Sequence, residues 1–272
     1  MARDKLDTPF ERLFVRYSAT GGTRVEWYLH RLFTDPLPHT FQLQGAYGAV
    51  ATAAWEDIGL PADNTFYLVD DEQRNYGKTH DWHLRVKLTT AKKTYYSKAA
   101  SAQENLNFRD WRLSTEMVRK ERFRLTELVG VDGYLLKRKR YGTKCTRCTD
   151  RLTDEVTDSD CPTCNGTGVL EGYYAAVPNF FVEIPQRASQ EQMDGVQMVG
   201  TTNPLIYQGC RVLGEPLLDS YDVFVDKTSD TRYVVRAVQE AAVWRGYPIA
   251  TTVTLHQLPF TDRAYKIPLE GT

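Results

Sequence analysis

The chain has 272 residues, 42% of them hydrophobic and 25% charged, with 34 Lys and Arg against 35 Asp and Glu for a formal net charge of -1. This is the balance of a globular protein of two or three domains, and it excludes a global electrostatic pull toward nucleic acid or an anionic membrane surface. No apolar run reaches the roughly eighteen residues that a spanning helix needs, so no membrane partner is expected.

Residues 1–8 are polar and carry no signal-peptide pattern. Short strand-like runs then alternate with turn signals: 13–17, 24–33, 40–44, 51–58, 65–69, 82–88 and 94–98. The run from Trp82 is the clearest. Leu84, Val86 and Leu88 share one face, while His83, Arg85 and Lys87 take the other, the period-two pattern of a half-buried strand. Seven such strands at this spacing predict a β-sandwich over residues 9–101. The Trp82 strand leading through a hairpin to Tyr95-Tyr96-Ser97 resembles fibronectin type III domains, and the resemblance implies a spacer or binding module. His30, His39, His80 and His83 have no ligand spacing to a cysteine or carboxylate and read as surface or packing residues.

Residues 103–129 change to a helical period. Phe108, Trp111, Thr115, Val118, Arg122, Leu125 and Leu128 or Val129 mark one stripe, with Asn107 able to cap its start and Gly130 to close its end. From Arg109 to Lys144 there are 11 basic residues against 5 acidic ones, densest at Lys137-Arg-Lys-Arg140. The strip is a solvated face, a surface for an acidic protein, or a contact for DNA phosphates.

The strongest chemical signal follows. Cys145-Thr-Arg-Cys148 is separated by 12 residues from Cys161-Pro-Thr-Cys164-Asn-Gly-Thr-Gly168. Two residues between thiolates let one tight turn aim both sulfurs at one ion, and two such turns make a tetrahedral S4 site suited to Zn2+. Cys145, Cys148, Cys161 and Cys164 are therefore the predicted metal ligands. Four thiolates leave no open position, so the expected metal is structural rather than catalytic. Two disulfides or a redox pair are the alternatives. Asn165, Gly166 and Gly168 can take the left-handed conformations of such a knuckle. Cys210 stands apart and reads as a small buried apolar residue.

Beyond the cysteines, 172–177 and 180–184 resume strand character, and residues 186–203 read as a long arm that orders on a neighbour. Strand-like runs at 209–213, 221–226, 231–240 and 249–258 predict a small twisted β-barrel or sandwich. Asp219, Asp222, Asp226 and Asp230 lack calcium-loop spacing and read as turn residues. The tail from Asp262, with Tyr265 and Ile267, is expected to reach a partner. The expected division is a sandwich (9–101), a basic helix with a zinc ribbon (103–172) and a small barrel (173–272), mainly β throughout.

Three features together resemble structural proteins of tailed bacteriophage particles: the fibronectin-like start, Gly133-Tyr-Leu-Leu-Lys-Arg-Lys-Arg140 entering the cysteine pairs, and the barrel segments Asp222-Val-Phe-Val-Asp226 and Trp244-Arg-Gly-Tyr-Pro248. The resemblance implies a virion protein of the neck or head–tail connection, assembled in the host cytoplasm as a ring with portal, adaptor, collar or tail proteins. A baseplate or tail-fibre attachment protein and a zinc-ribbon nucleic-acid-binding protein are the alternatives. Cys161 to Gly168 also resembles the Cys-x-x-Cys-x-Gly-x-Gly unit of DnaJ-type chaperones. The first pair lacks the glycines and no His-Pro-Asp motif occurs, so that likeness implies knuckle geometry alone. No nucleophile–base pair, phosphate loop or paired carboxylate stands out, and no enzymatic activity is expected.

Overall fold

The computed structural model describes residues 8–18, 22–71, 82–101, 107–150, 153, 155–185, 189–190, 205–245 and 247–269. The chain is mainly β. Two antiparallel sheets form the N-terminal sandwich. In one, β1 (Phe10–Tyr17), β2 (Thr23–Leu29) and β5 (Tyr67–Asp70) lie in the order β1-β2-β5. In the other, β3 (Thr40–Tyr47), β4 (Glu56–Asp63), β6 (Trp82–Thr89) and β7 (Thr94–Tyr96) lie in the order β4-β3-β6-β7. All seven expected strands are present. The fourth is displaced: it begins at Glu56, because a turn closed by Thr52 N–H on Ala49 O precedes it. Strand β6 buries Trp82, Leu84, Val86 and Leu88 and leaves the residues between them partly exposed. These side chains meet Val25, Trp27, Phe41 and Leu43 in the sandwich core.

The second unit is a closed six-stranded barrel. Its strands are β8 (Val131–Leu136), β9 (Val177–Glu183), β11 (Leu205–Leu213), β12 (Val223–Asp226), β13 (Arg232–Trp244) and β14 (Tyr247–Gln257), in the order β11-β14-β13-β12-β8-β9. Pairing of Arg211 with Glu183 and Val212 with Val182 joins β11 to β9 and closes the ring. Closure leaves no free edge around the ring. Strand β10 (Ser189–Gln190) adds to β11 outside it. Otherwise the arm expected at 186–203 lies outside the described residues. The barrel's first strand, β8, precedes the cysteine pairs, so the cysteine segment is an insertion between two neighbouring barrel strands. Sequence reading missed β8 because Val131–Leu136 is a short apolar run directly after a helix, where periodicity is ambiguous.

Helix α1 (Phe108–Phe123) is capped by Asn107, whose side chain accepts from Asp110 N. It passes directly into a π-helical turn, Arg124–Val129. Gly130 ends it, but not in the left-handed conformation of a helix-closing glycine: it is extended, and its N–H donates to Leu125 O at 2.9 Å. A Cβ there would lie 2.2 Å from that same oxygen. Trp111 and Val118 pack with Tyr17 of β1 and Ile249 of β14, so α1 bridges the two β units. The C-terminal segment folds back rather than outward. A 3-10 turn, Arg263–Lys266, sets Ala264 and Ile267 against Leu136, Val223 and Val225.

Sandwich and barrel are joined by buried polar contacts as well as by α1. Arg16 donates to Gly214 O at 3.1 Å, Tyr28 OH to Asp219 at 2.8 Å, and Leu217 N to Glu26 at 2.9 Å. Lys137 sits at the centre of this seam. Its Nζ donates to Leu217 O at 2.6 Å, Asp219 at 2.8 Å and Asp222 at 3.0 Å. Asp222, fully buried, also accepts from the backbone N–H of Arg138 and Asp219. Asp219 and Asp222 thus serve as the buried counter-charges of a lysine. Asp226 and Asp230 are the turn residues expected: Asp226 accepts from Thr228 N and Ser229 Oγ, and Asp230 takes a φ of 52°.

Candidate metal centre

Between β8 and β9 the chain makes two short turns that face one another. Cys145 and Cys148 occupy the first, Cys161 and Cys164 the second, and all four are at most 1% exposed. Antiparallel bridges Lys144↔Val169 and Thr149↔Val156 hold the turns together. The carbonyls of the first pair are bound by Thr149 N and Thr157 N, and Thr167 binds Cys164 O through both its N–H and its hydroxyl. Gly168 N–H points at Cys164 Sγ from 3.4 Å. The expected left-handed residues are there: φ is 51° at Asn165, 73° at Gly166 and 80° at Gly168. Gly166 is doubly required, because a Cβ there would come 2.1 Å from Ser159 O.

The four sulfurs all lie within 4.8 Å of one another. Cys145 and Cys161 are 3.8 Å apart, and Cys148 and Cys164 are 3.2 Å apart. Sulfurs placed tetrahedrally at about 2.3 Å from one ion are about 3.8 Å apart, so the cluster fits a metal. A disulfide needs about 2.05 Å, and none links these residues. Burial opposes ionisation of Cys161, but the N–H groups of Thr163 and Cys164, with the Cys148 thiol, outweigh it and bring the thiol down to about 6. Backbone N–H groups thus favour a thiolate at Cys161, while burial raises Cys148 and Cys164. Cys210 is not part of the group. It lies in the barrel core, where burial pushes its thiol up to about 12.

The cysteine segment touches the sandwich as well as its own barrel. Thr143 donates to Asp35 O at 2.8 Å, and Val169 and Leu170 face Leu37 and Phe41 across a cavity of about 20 Å3. Lys139, whose stem is buried, pairs with Glu171 at 2.5 Å.

The basic strip is divided by the fold. Lys137 and Lys139 are buried, Arg124 pairs with Glu183, and Arg140 pairs with Asp219 at 2.7 Å. Arg109, Arg112, Arg119 and Lys120 remain exposed on α1. The densest basic stretch in the sequence is therefore split, with its two lysines facing inward and its two arginines toward the surface. Of the histidines, His39 is buried and its Nε2 lies 2.9 Å from Asp35 O, His30 Nδ1 accepts from Leu32 N, His83 is half-buried on β6, and His80 lies outside the described residues.

No family model, no curated protein and no solved structure matches the chain.

Proposed function

We propose that the chain is a structural, non-enzymatic component of a tailed bacteriophage particle, a ring-forming subunit of the neck between head and tail, with Zn2+ as the ion of its four-cysteine site. The observation that carries this reading is the joining of three parts into one block. A closed barrel receives a cysteine knuckle as an insertion, and both bear on the sandwich, the barrel through Arg16, Tyr28 and Glu26 and the knuckle segment through Asp35. Such a block transmits position from one face to another, which is what a connector subunit must do. The titratable groups of this seam are satisfied within it: Lys137 pairs with Asp222, and Tyr28 donates to Asp219. They serve cohesion rather than turnover. Zinc at the knuckle, bound by four thiolates with no open position, holds the insertion against both units.

Native mass spectrometry of the purified chain, with metal counted per subunit, tests the reading. One zinc per chain and a closed ring, alone or on addition of the portal protein of the same particle, is the expected result. A zinc-loaded monomer that stays monomeric with portal and tail proteins would refute the connector assignment. A metal-free folded chain would refute the zinc.

A further inference from the structure

The outer wall of the barrel and the second cysteine turn enclose an open groove of about 380 Å3. Three guanidiniums line it: Arg138 after β8, Arg236 on β13 and Arg263 on the 3-10 turn. Among the described residues none of the three has a carboxylate at ion-pair distance, unlike Arg124, Arg140, Arg211 and Arg245 elsewhere in the molecule. Two of them converge on one ring. Arg138 Cζ lies 5.1 Å and Arg236 Cζ 5.3 Å from the centroid of Tyr221.

Tyr221 itself is held at some cost. Its φ is 73°, a left-handed conformation that a bulky side chain disfavours. Its N–H donates to Val235 O at 2.7 Å, which fixes the turn, and 48% of the residue remains exposed. The turn thus keeps an aromatic ring at the surface between two cations whose forks have no anion of their own. Arginine and tyrosine are the residues that most often anchor protein contacts, and a guanidinium fork binds a carboxylate through two parallel hydrogen bonds.

We propose that this groove is a docking site for an acidic segment of a partner protein, with Arg138 and Arg236 pairing its carboxylates and Tyr221 packing against its chain. The wall chemistry favours a peptide over a nucleic-acid backbone. Asp160 and Asp262 also line the groove, and a continuous run of phosphates would have to pass them. Spaced carboxylates can sit between them. The inference concerns this surface alone and does not depend on where in a particle the chain resides.

Fluorescence anisotropy of a fluorescein-labelled hexaglutamate peptide, titrated with the full chain at low ionic strength, tests it. Saturable binding is expected, weakened about tenfold in the Arg138→Ala/Arg236→Ala double variant and unchanged in Arg112→Ala, an exposed arginine on α1. Arg236→Glu gives the same loss by a substitution on an exposed side chain that leaves the fold intact. The proposal is wrong if the peptide does not saturate, or if Arg112→Ala weakens it equally. It is also wrong if hexathymidylate competes better than unlabelled hexaglutamate. Sedimentation showing a dimer that the double variant dissociates would assign the groove to a second copy and overturn it as well.

Discussion

Lys137 carries the largest local consequence of any single side chain. Burial alone would lower its pKa, yet Asp222 and Asp219 outweigh that and hold it above its ordinary value of 10.5. Removing one partner leaves the charge buried without compensation. Asp222→Ala is therefore expected to cost about 3–5 kcal/mol of unfolding free energy in urea, and Lys137→Met with Asp222→Leu together should stay below wild type, because Asp219, Leu217 O and the N–H groups of Arg138 and Asp219 lose partners. If the single variant costs under 1 kcal/mol, the seam is not held by this pair. The pH dependence follows with a definite sign. A lysine raised in the fold contributes fully below 10.5 and loses that contribution as pH rises above it. Tyr28, raised by burial from 10.0, is also stabilising while protonated in the fold, so it acts in the same direction. Stability should fall above about pH 10, and the fall should be shallower in Tyr28→Phe. An equal slope in that variant would remove Tyr28 from the account.

At the level of elements, the cysteine knuckle depends on backbone conformation as much as on its thiols. Gly166→Ala places a Cβ against Ser159 O at 2.1 Å and forces a side chain into φ 73°. The expected result is bound metal released to a chelator at least about tenfold faster, with far-UV circular dichroism of the sheets retained. Retention of wild-type release kinetics would mean the turn tolerates the change. Cys161→Ser should abolish metal binding and expose residues 144–172 to proteolysis; a variant that stays protected without metal would show that the insertion needs no staple. Much of this element was readable beforehand, because Cys-x-x-Cys spacing and the following Asn-Gly are local instructions that a turn obeys wherever it sits. The sandwich strands and the Asn107 cap were readable for the same reason. What escaped was long-range. Asp219 and Asp222 look like turn acids because nothing near them in sequence announces Lys137, about eighty residues earlier. The basic run at 137–140 looks like a surface because composition does not tell which way a strand end points. Gly130 looks like a left-handed closure, while the π-helical turn before it hands the chain straight into β8.

For the whole molecule, the question is whether sandwich, barrel and cysteine insertion behave as one body. Two β units joined by a linker alone would unfold separately and give two transitions. Here the joints are buried and polar: Arg16 on Gly214, Tyr28 on Asp219, Glu26 on Leu217 N, with Trp111 of α1 packed against both sides. Opening them would take Arg16 from Gly214 O, Tyr28 from Asp219 and Glu26 from Leu217 N, so neither unit gains by separating first. One cooperative transition is expected in calorimetry of the metal-loaded chain, with calorimetric and van't Hoff enthalpies equal. Stripping the metal should lower the midpoint and broaden it, because the insertion contacts the sandwich through Thr143 as well as the barrel strands it interrupts. Two resolved transitions in the metal-loaded chain would mean that the seam is only a resting contact and that the chain is a flexible pair of modules.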